Sequence, residues 1–304
     1  PNKGPPILSS VLLGAFWMLL TTLSFVAMNV SIRALAGEIS AVEILFFRCV
    51  IGVMIFLPWI AKNGVGVLHT QKFGHHAIRA VMMGAGMMFW FVAIAALPLG
   101  DAIALHFTLP LFLIVFAALF LKEKVDWSVW LATALGFSGV LLILRPGFQE
   151  FNIAMIYVLI SGALYGGNHC ITKAMSTTES PNATAFYMNL LILPGSAIAL
   201  PFYWVMPQWH HVGWILLIGF AGSSAHVCLL RAFRYADANV LAPIDFLRLV
   251  FAATAAYFLF GDVSGIMTWV GACVIFMAAY YSTWRAQKLD QQAKAQAAQP
   301  ASAQ

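Results

Sequence analysis

The chain has 304 residues, of which 62% are hydrophobic and 9% charged, with a mean hydropathy of +0.88. A water-soluble domain carries roughly a quarter charged residues, so so few charges cannot cover a soluble surface and the chain is read as an integral membrane protein. The apolar stretches run continuously for about 20 residues, the length that crosses a bilayer as helix, and lack the alternation of a transmembrane barrel strand. The net charge of +5 is accounted for by loop asymmetry, described below, and calls for no nucleic-acid partner.

Ten spans follow in chain order, at roughly 11–33, 41–60, 78–97, 102–121, 127–144, 153–173, 183–204, 212–231, 238–260 and 266–284. The first run, Val11 to Ile32, leads into a second span and is read as span 1 rather than a cleaved leader. Turn residues mark the boundaries: Lys62-Asn63-Gly64 after span 2, Leu97-Pro98-Leu99-Gly100 after span 3, and Arg145-Pro146-Gly147 after span 5. Residues 286–304, rich in Ala and Gln, are expected as a disordered tail or a frayed helix extension. Cys49, Cys170, Cys228 and Cys273 fall inside spans without CxxC spacing, and read as small buried residues rather than disulfides or metal ligands.

With the N-terminus in the cytoplasm, twelve of the sixteen Lys and Arg residues lie on the cytoplasmic side. They are Lys3, Lys62, Lys72, Arg79, Lys122, Lys124, Lys173, Arg231, Arg234, Arg285, Lys288 and Lys294. Only Arg33 and Arg145 fall outside, with Arg48 and Arg248 inside spans. This bias places both termini in the cytoplasm. A shift of 140 residues lays Asn29, Arg33 and Ala34 on His169, Lys173 and Ala174, Ser40 on Ser180, and Phe46-Phe47 on Phe186-Tyr187. A shift of 139 lays Glu123 on Asp262. A nearly constant shift over separate spans predicts two five-helix repeats, 11–145 and 152–285. Five is odd, so the repeats are inverted, the architecture of many secondary transporters.

Several segments carry a resemblance to a known family. One is Leu105-His106-Phe107-Thr108-Leu109-Pro110-Leu111, running on to Phe120-Leu121-Lys122-Glu123, where Lys122 replaces a glycine. Another is Asp245-Phe246-Leu247-Arg248-Leu249, leading to Leu259-Phe260-Gly261-Asp262, with Asp262 in place of glutamate. A third is Gly136-Phe137-Ser138-Gly139-Val140, and Arg48 also fits. Over roughly residues 10–285 the chain resembles the drug/metabolite transporter superfamily, EamA type. The resemblance implies an all-α, ten-helix carrier of a small organic solute in a bacterial inner membrane, and leaves the solute open among amino-acid-like, nucleotide-like, vitamin and amphipathic compounds.

Ionisable residues inside a span are costly and mark function by default. Asp245 and Arg248 sit one turn apart on span 9, a substrate clamp or a mutual pair. His106, His169 and His226 titrate near neutrality and are candidate proton carriers; singly, each also reads as a neutral hydrogen-bonded histidine. Asn168 and His169 lie close to Tyr165 on span 6, and Asn29 is their approximate counterpart on span 1. Trp17 and Trp90, away from the interfacial belts, are candidate cavity linings. Glu43 is read as reaching water, Arg48 as structural, and His75-His76 and His210-His211 as interfacial pairs rather than ligands. The expected substrate site is therefore Asn168, His169, His226, Asp245 and Arg248, with Trp90, His106 and Tyr165 beside them. No metal site or cofactor is expected. A Walker A motif is absent, so energy comes from a proton or substrate gradient, or transport is passive. The partners expected are a small-molecule substrate and the lipid bilayer, with the chain a monomer or homodimer. The rival reading is an intramembrane lipid-modifying enzyme; a channel is disfavoured by single-chain pseudo-symmetry.

Overall fold

The computed structural model describes residues 7–120, 122, 125–145, 152–175, 179–236 and 238–298. Eleven α-helices make ten membrane-crossing spans among these residues. In order they are α1 (Ile7–Leu35), α2 (Ala41–Asn63), α3 (Phe73–Ala96), α4 (Leu99–His106), α5 (Leu109–Phe120), α6 (Trp127–Leu144), α7 (Ile153–Met175), α8 (Pro181–Tyr203), α9 (Trp209–Tyr235), α10 (Ala238–Phe260) and α11 (Ile266–Ala298). The expected all-α class holds, and every span is found. Residues 286–298 continue α11, as their Ala, Gln and Lys content favours. Glu123, Lys124, Lys3 and the Pro146-Gly147 turn lie outside the described residues.

Local chemistry sets the helix ends. Ser40 and Ser180 cap α2 and α8, each accepting a hydrogen bond from the backbone N–H three residues on, Glu43 and Ala183. Asp126 caps α6 by accepting from Ser128 N–H at 2.9 Å. These two bonds to Ser128, through its N–H and its hydroxyl, hold the Asp126 carboxyl below its ordinary range.

The fourth span, expected as one helix, is broken between α4 and α5 at Phe107-Thr108. Pro110 has no N–H to give the carbonyl of His106 four residues back, so the ladder stops there. The Thr108 hydroxyl instead bonds the Leu105 carbonyl at 2.7 Å. α3 begins at Phe73, earlier than expected, so Arg79 lies nearly two turns into the helix rather than at the span's first residues.

The main helix pairs are α1 with α9, α3 with α7, α6 with α11, α2 with α8, α1 with α10, and α5 with α7. Where α6 meets α11, glycine is required on both sides: a β-carbon on Gly139 would stand 2.8 Å from the Gly271 carbonyl oxygen. Such backbone approach is how helices associate where lipid removes the hydrophobic driving force. The buried core runs through all these pairs, from Val26 and Met28 on α1 to Ile275 and Ala279 on α11.

Candidate functional site

The break in the fourth span places His106 at the end of α4, facing α3 and α7. Its ring lies 4.5 Å from that of Trp90 and 5.2 Å, edge to face, from that of Tyr165. Trp90 is held by its indole N–H, which donates to the Asn29 side chain of α1 at 3.2 Å. The three rings form a shelf of Trp90, His106 and Tyr165, with His106 Nε2 buried and without a hydrogen-bond partner. One turn on from Tyr165, Asn168 is buried with its side-chain oxygen likewise unpartnered. Discontinuous helices bordered by unengaged polar atoms are typical of transporter binding sites.

Across from the shelf, Arg48 of α2 donates to the Asn189 side-chain oxygen of α8 at 3.3 Å. Room for its guanidinium comes from Gly222 of α9, where a β-carbon would stand 3.4 Å from Arg48 Nε. His226, one turn on, donates its Nδ1–H to the Gly222 carbonyl at 2.8 Å, which leaves Nε2 as the acceptor nitrogen. Its ring packs edge-on against Phe25. Arg248 stands over the rings of Phe25 and Phe107, at 5.5 and 5.0 Å, and pairs with Asp245 at 3.4 Å. Phe107 in turn touches Phe246, its approximate counterpart in the second half, with centroids 5.3 Å apart.

Electrostatic reach joins these groups: Arg248 and His169 act on His106, His226 and Arg79 act on His169, and Arg48 acts on His226 and Tyr165. His169, beside Asn168 on α7, is exposed. The structure thus gathers Trp90, His106, Tyr165, Asn168, His169, His226 and Arg248 around one centre. Asp245 follows through its pair with Arg248, and also lines a small apolar groove of ≈ 80 Å³ with Phe107, Pro110, Phe276 and Tyr280. Trp17 stands apart, its ring under the Arg231 guanidinium at 4.5 Å. Two further arginines lie buried near this centre. Arg48 was read as structural although it lies within a span. Arg79, counted with the loop cations, is 4% exposed within α3.

Each end of the bundle carries a carboxylate–histidine clasp. At one end Glu38, in the α1–α2 turn, receives Nε2 of His210 at 3.0 Å and Nε2 of His211 at 2.7 Å, both from the start of α9. Glu43, expected to reach water, is fully buried there and accepts from Val205 N–H at 3.1 Å. At the opposite end Glu179, before α8, receives His76 Nε2 at 3.3 Å and the Thr70 hydroxyl at 2.8 Å. Tyr187 lies 4.8 Å from the His76 ring. Of the adjacent histidine pairs, His76, His210 and His211 are therefore tied to acids, with His76 and His211 buried rather than interfacial.

The carboxylate of Glu38 and the two imidazoles bring ligand atoms within 4.8 Å of one another. Yet His211 Nδ1 already accepts the Gln208 N–H, so Nε2 carries the ring proton and gives it to Glu38 rather than a lone pair to a metal. Hydrogen bonds from His211, then His210, hold the Glu38 carboxyl below its ordinary value. A further contact at this end ties Arg33 to Asp262 at 3.3 Å and to the carbonyls of Ile94 and Ala95.

Ten spans enclosing a polar, ring-lined centre define a membrane carrier. The sequence model of the EamA-like transporter family matches residues 12–145 and again 152–284, and the chain belongs to that family. It is 29% identical to the S-adenosylmethionine uptake transporter of Rickettsia bellii, over 91% of this chain and 95% of that protein. It is 32% identical to the riboflavin transporter of Vibrio cholerae, over 90% and 94%, and 30% identical to that of Rhizobium johnstonii, over 90% and 91%. A solved crystal structure shares the fold, with TM-score 0.61 and 18% identity over 92% of this chain and 98% of that one. The chain is a multi-pass inner-membrane secondary transporter of a small metabolite, not an enzyme.

Proposed function

We propose that this transporter carries a planar, nucleotide-like or vitamin-like heterocycle by alternating access between two inverted five-helix repeats, 11–145 and 152–285, with both termini cytoplasmic. The observation that carries the reading is the pair of clasps. Each joins an acid just before one repeat's second span to histidine at the start of the other repeat's third span, His76 in one and His210 with His211 in the other, at opposite ends of the bundle. Exchanging the repeats maps one clasp onto the other. The same exchange maps the α1–α9 pair onto α7–α3 and the α1–α10 pair onto α7–α5, and returns α2–α8 and α6–α11 to themselves. Such symmetry supports two states of like energy, in which each clasp parts in turn.

The ring shelf supports the cargo class. Trp90, His106 and Tyr165 offer flat faces, with Asn168 and His106 Nε2 as unengaged polar atoms at its edge. S-adenosylmethionine and riboflavin, named for two relatives, both join a planar nitrogen heterocycle to a polar chain. Site residues are Asn168, His169, His226, Asp245, Arg248, Trp90, His106 and Tyr165, with Arg48 added from the structure. His169, His226 and His106 offer a proton path, so a proton gradient is a candidate drive. One chain encloses the site, so a monomer or either half of a homodimer transports alone. No role is assigned to nucleic acid.

Counterflow in proteoliposomes tests this reading. Vesicles preloaded with unlabelled riboflavin or S-adenosylmethionine take up the labelled compound with saturation if the reading holds, and Trp90→Ala with His106→Ala lowers that uptake. Flux that rises linearly with concentration, or no uptake of either compound, contradicts it.

A further inference from the structure

Charge at the centre does not balance. Three arginines enter the interior, Arg48 from α2, Arg79 from α3 and Arg248 from α10, and among the described residues one carboxylate, Asp245, pairs with any of them. Asp245 is taken by Arg248. Arg48, 5% exposed, donates to a neutral amide oxygen, that of Asn189. Arg79 has Nε and Nη1 buried with no acceptor. Glu179, on the nearby α7–α8 turn, is engaged by His76 and Thr70 instead. Burying a guanidinium without a carboxylate is costly, and a fold that does so twice has a use for the charge.

The two arginines are joined through imidazoles. His226 and Arg48 meet at Gly222, whose carbonyl takes the His226 Nδ1–H at 2.8 Å and where a β-carbon would stand 3.4 Å from Arg48 Nε. His169 lies within electrostatic reach of both His226 and Arg79, so the groups form a basic track beside Asn168 and Tyr165. Arginine is the side chain suited to carboxylate and phosphate, whose oxygens match its planar fork.

We propose that the site takes cargo bearing an anionic group and prefers it to the neutral ring, the carboxylate or phosphate held on the basic track by Arg48 and by Arg79 with His169, while the ring rests against Trp90, His106 and Tyr165. This deepens the transporter reading and rests on it. Carboxylate and phosphate share the recognising chemistry, and matched probes separate them.

The test is binding to the purified full chain in detergent, followed by thermal shift and tryptophan quenching, with neutral and anionic members of three pairs. These are riboflavin with flavin mononucleotide, adenosine with adenosine monophosphate, and nicotinamide with nicotinate. The charged member of at least one pair is expected to bind about tenfold to a hundredfold more tightly, the worth of one or two charge-assisted bonds. Preference in the first two pairs assigns phosphate, and in the third carboxylate. Arg48→Gln and Arg79→Gln, tested separately so that one unfolded variant does not end the experiment, each reduce the preference, and Arg48→Lys keeps part of it. Neutral members binding as tightly as their partners, no anion binding at all, or a preference that survives in both Gln variants overturns the proposal. Binding needs no flux. Saturable counterflow of a neutral ring without anion preference therefore sinks this inference alone, whereas anion binding without counterflow sinks the transporter reading.

Discussion

Asn189→Leu isolates what holds Arg48 at the centre of the bundle. The two residues are each 5% exposed and meet at 3.3 Å, and a leucine keeps most of the volume while removing the acceptor. A buried donor left unsatisfied costs about 1–3 kcal/mol, a roughly 5- to 150-fold fall in the folded-to-unfolded ratio. Removing both partners is milder, because no orphaned charge remains. Arg48→Met combined with Asn189→Leu should therefore recover to within about 1 kcal/mol of the parent. Reversible unfolding in mixed micelles, followed by the fluorescence of the ten tryptophans, reads both values. If Asn189→Leu is neutral, or the double variant loses the sum of the single losses, the bond is not what positions Arg48.

Three further outcomes follow from the geometry. Glu38 has its carboxyl pKa lowered from 4.5 by the two histidines, so its contribution is complete above that value and is lost as pH falls through the folded-state pKa. Protection factors for amide exchange across residues 36–40 should fall on acidification below about 4.5, and Glu38→Gln should remove that step; an unchanged step would assign it to another group. Gly139→Leu forces a side chain against the Gly271 carbonyl and should cost about 1–3 kcal/mol in the same unfolding assay, with Gly139→Ala milder. Trp90→Phe keeps the stack on His106 but loses the bond to Asn29. It should cost about 1 kcal/mol of stability while leaving the affinity for a ring-bearing cargo within a few-fold of the parent.

The ten spans were legible because twenty apolar residues in a row leave a chain few other options. What escaped depends on position along and between helices. Arg79 looked like a loop cation because the apolar run begins at 78, yet five more residues, Phe73 to Ala77, fold into α3 and carry it inward. Pro110 stood in plain view, but hydropathy alone reads through it, and the break that frees His106 was missed. The histidine pairs at 75–76 and 210–211 were visible. Their acids, Glu179 and Glu38, lie more than a hundred residues away and become partners only when the repeats interlock. Arg48 illustrates the cost of weighing one helix alone: Glu43 on α2 suggested nothing, and Asn189 on α8 proved to be its partner.

The most direct test of alternating access is to bind each clasp shut. In a Cys273→Ser background, Glu38 with His210, or Thr70 with Glu179, is changed to cysteine and bridged with a short reversible bifunctional thiol reagent in proteoliposomes. If the clasps part in turn, either bridge alone stops saturable counterflow, and cleavage of the bridge restores it. Continued counterflow through a fully bridged clasp at either end contradicts the account.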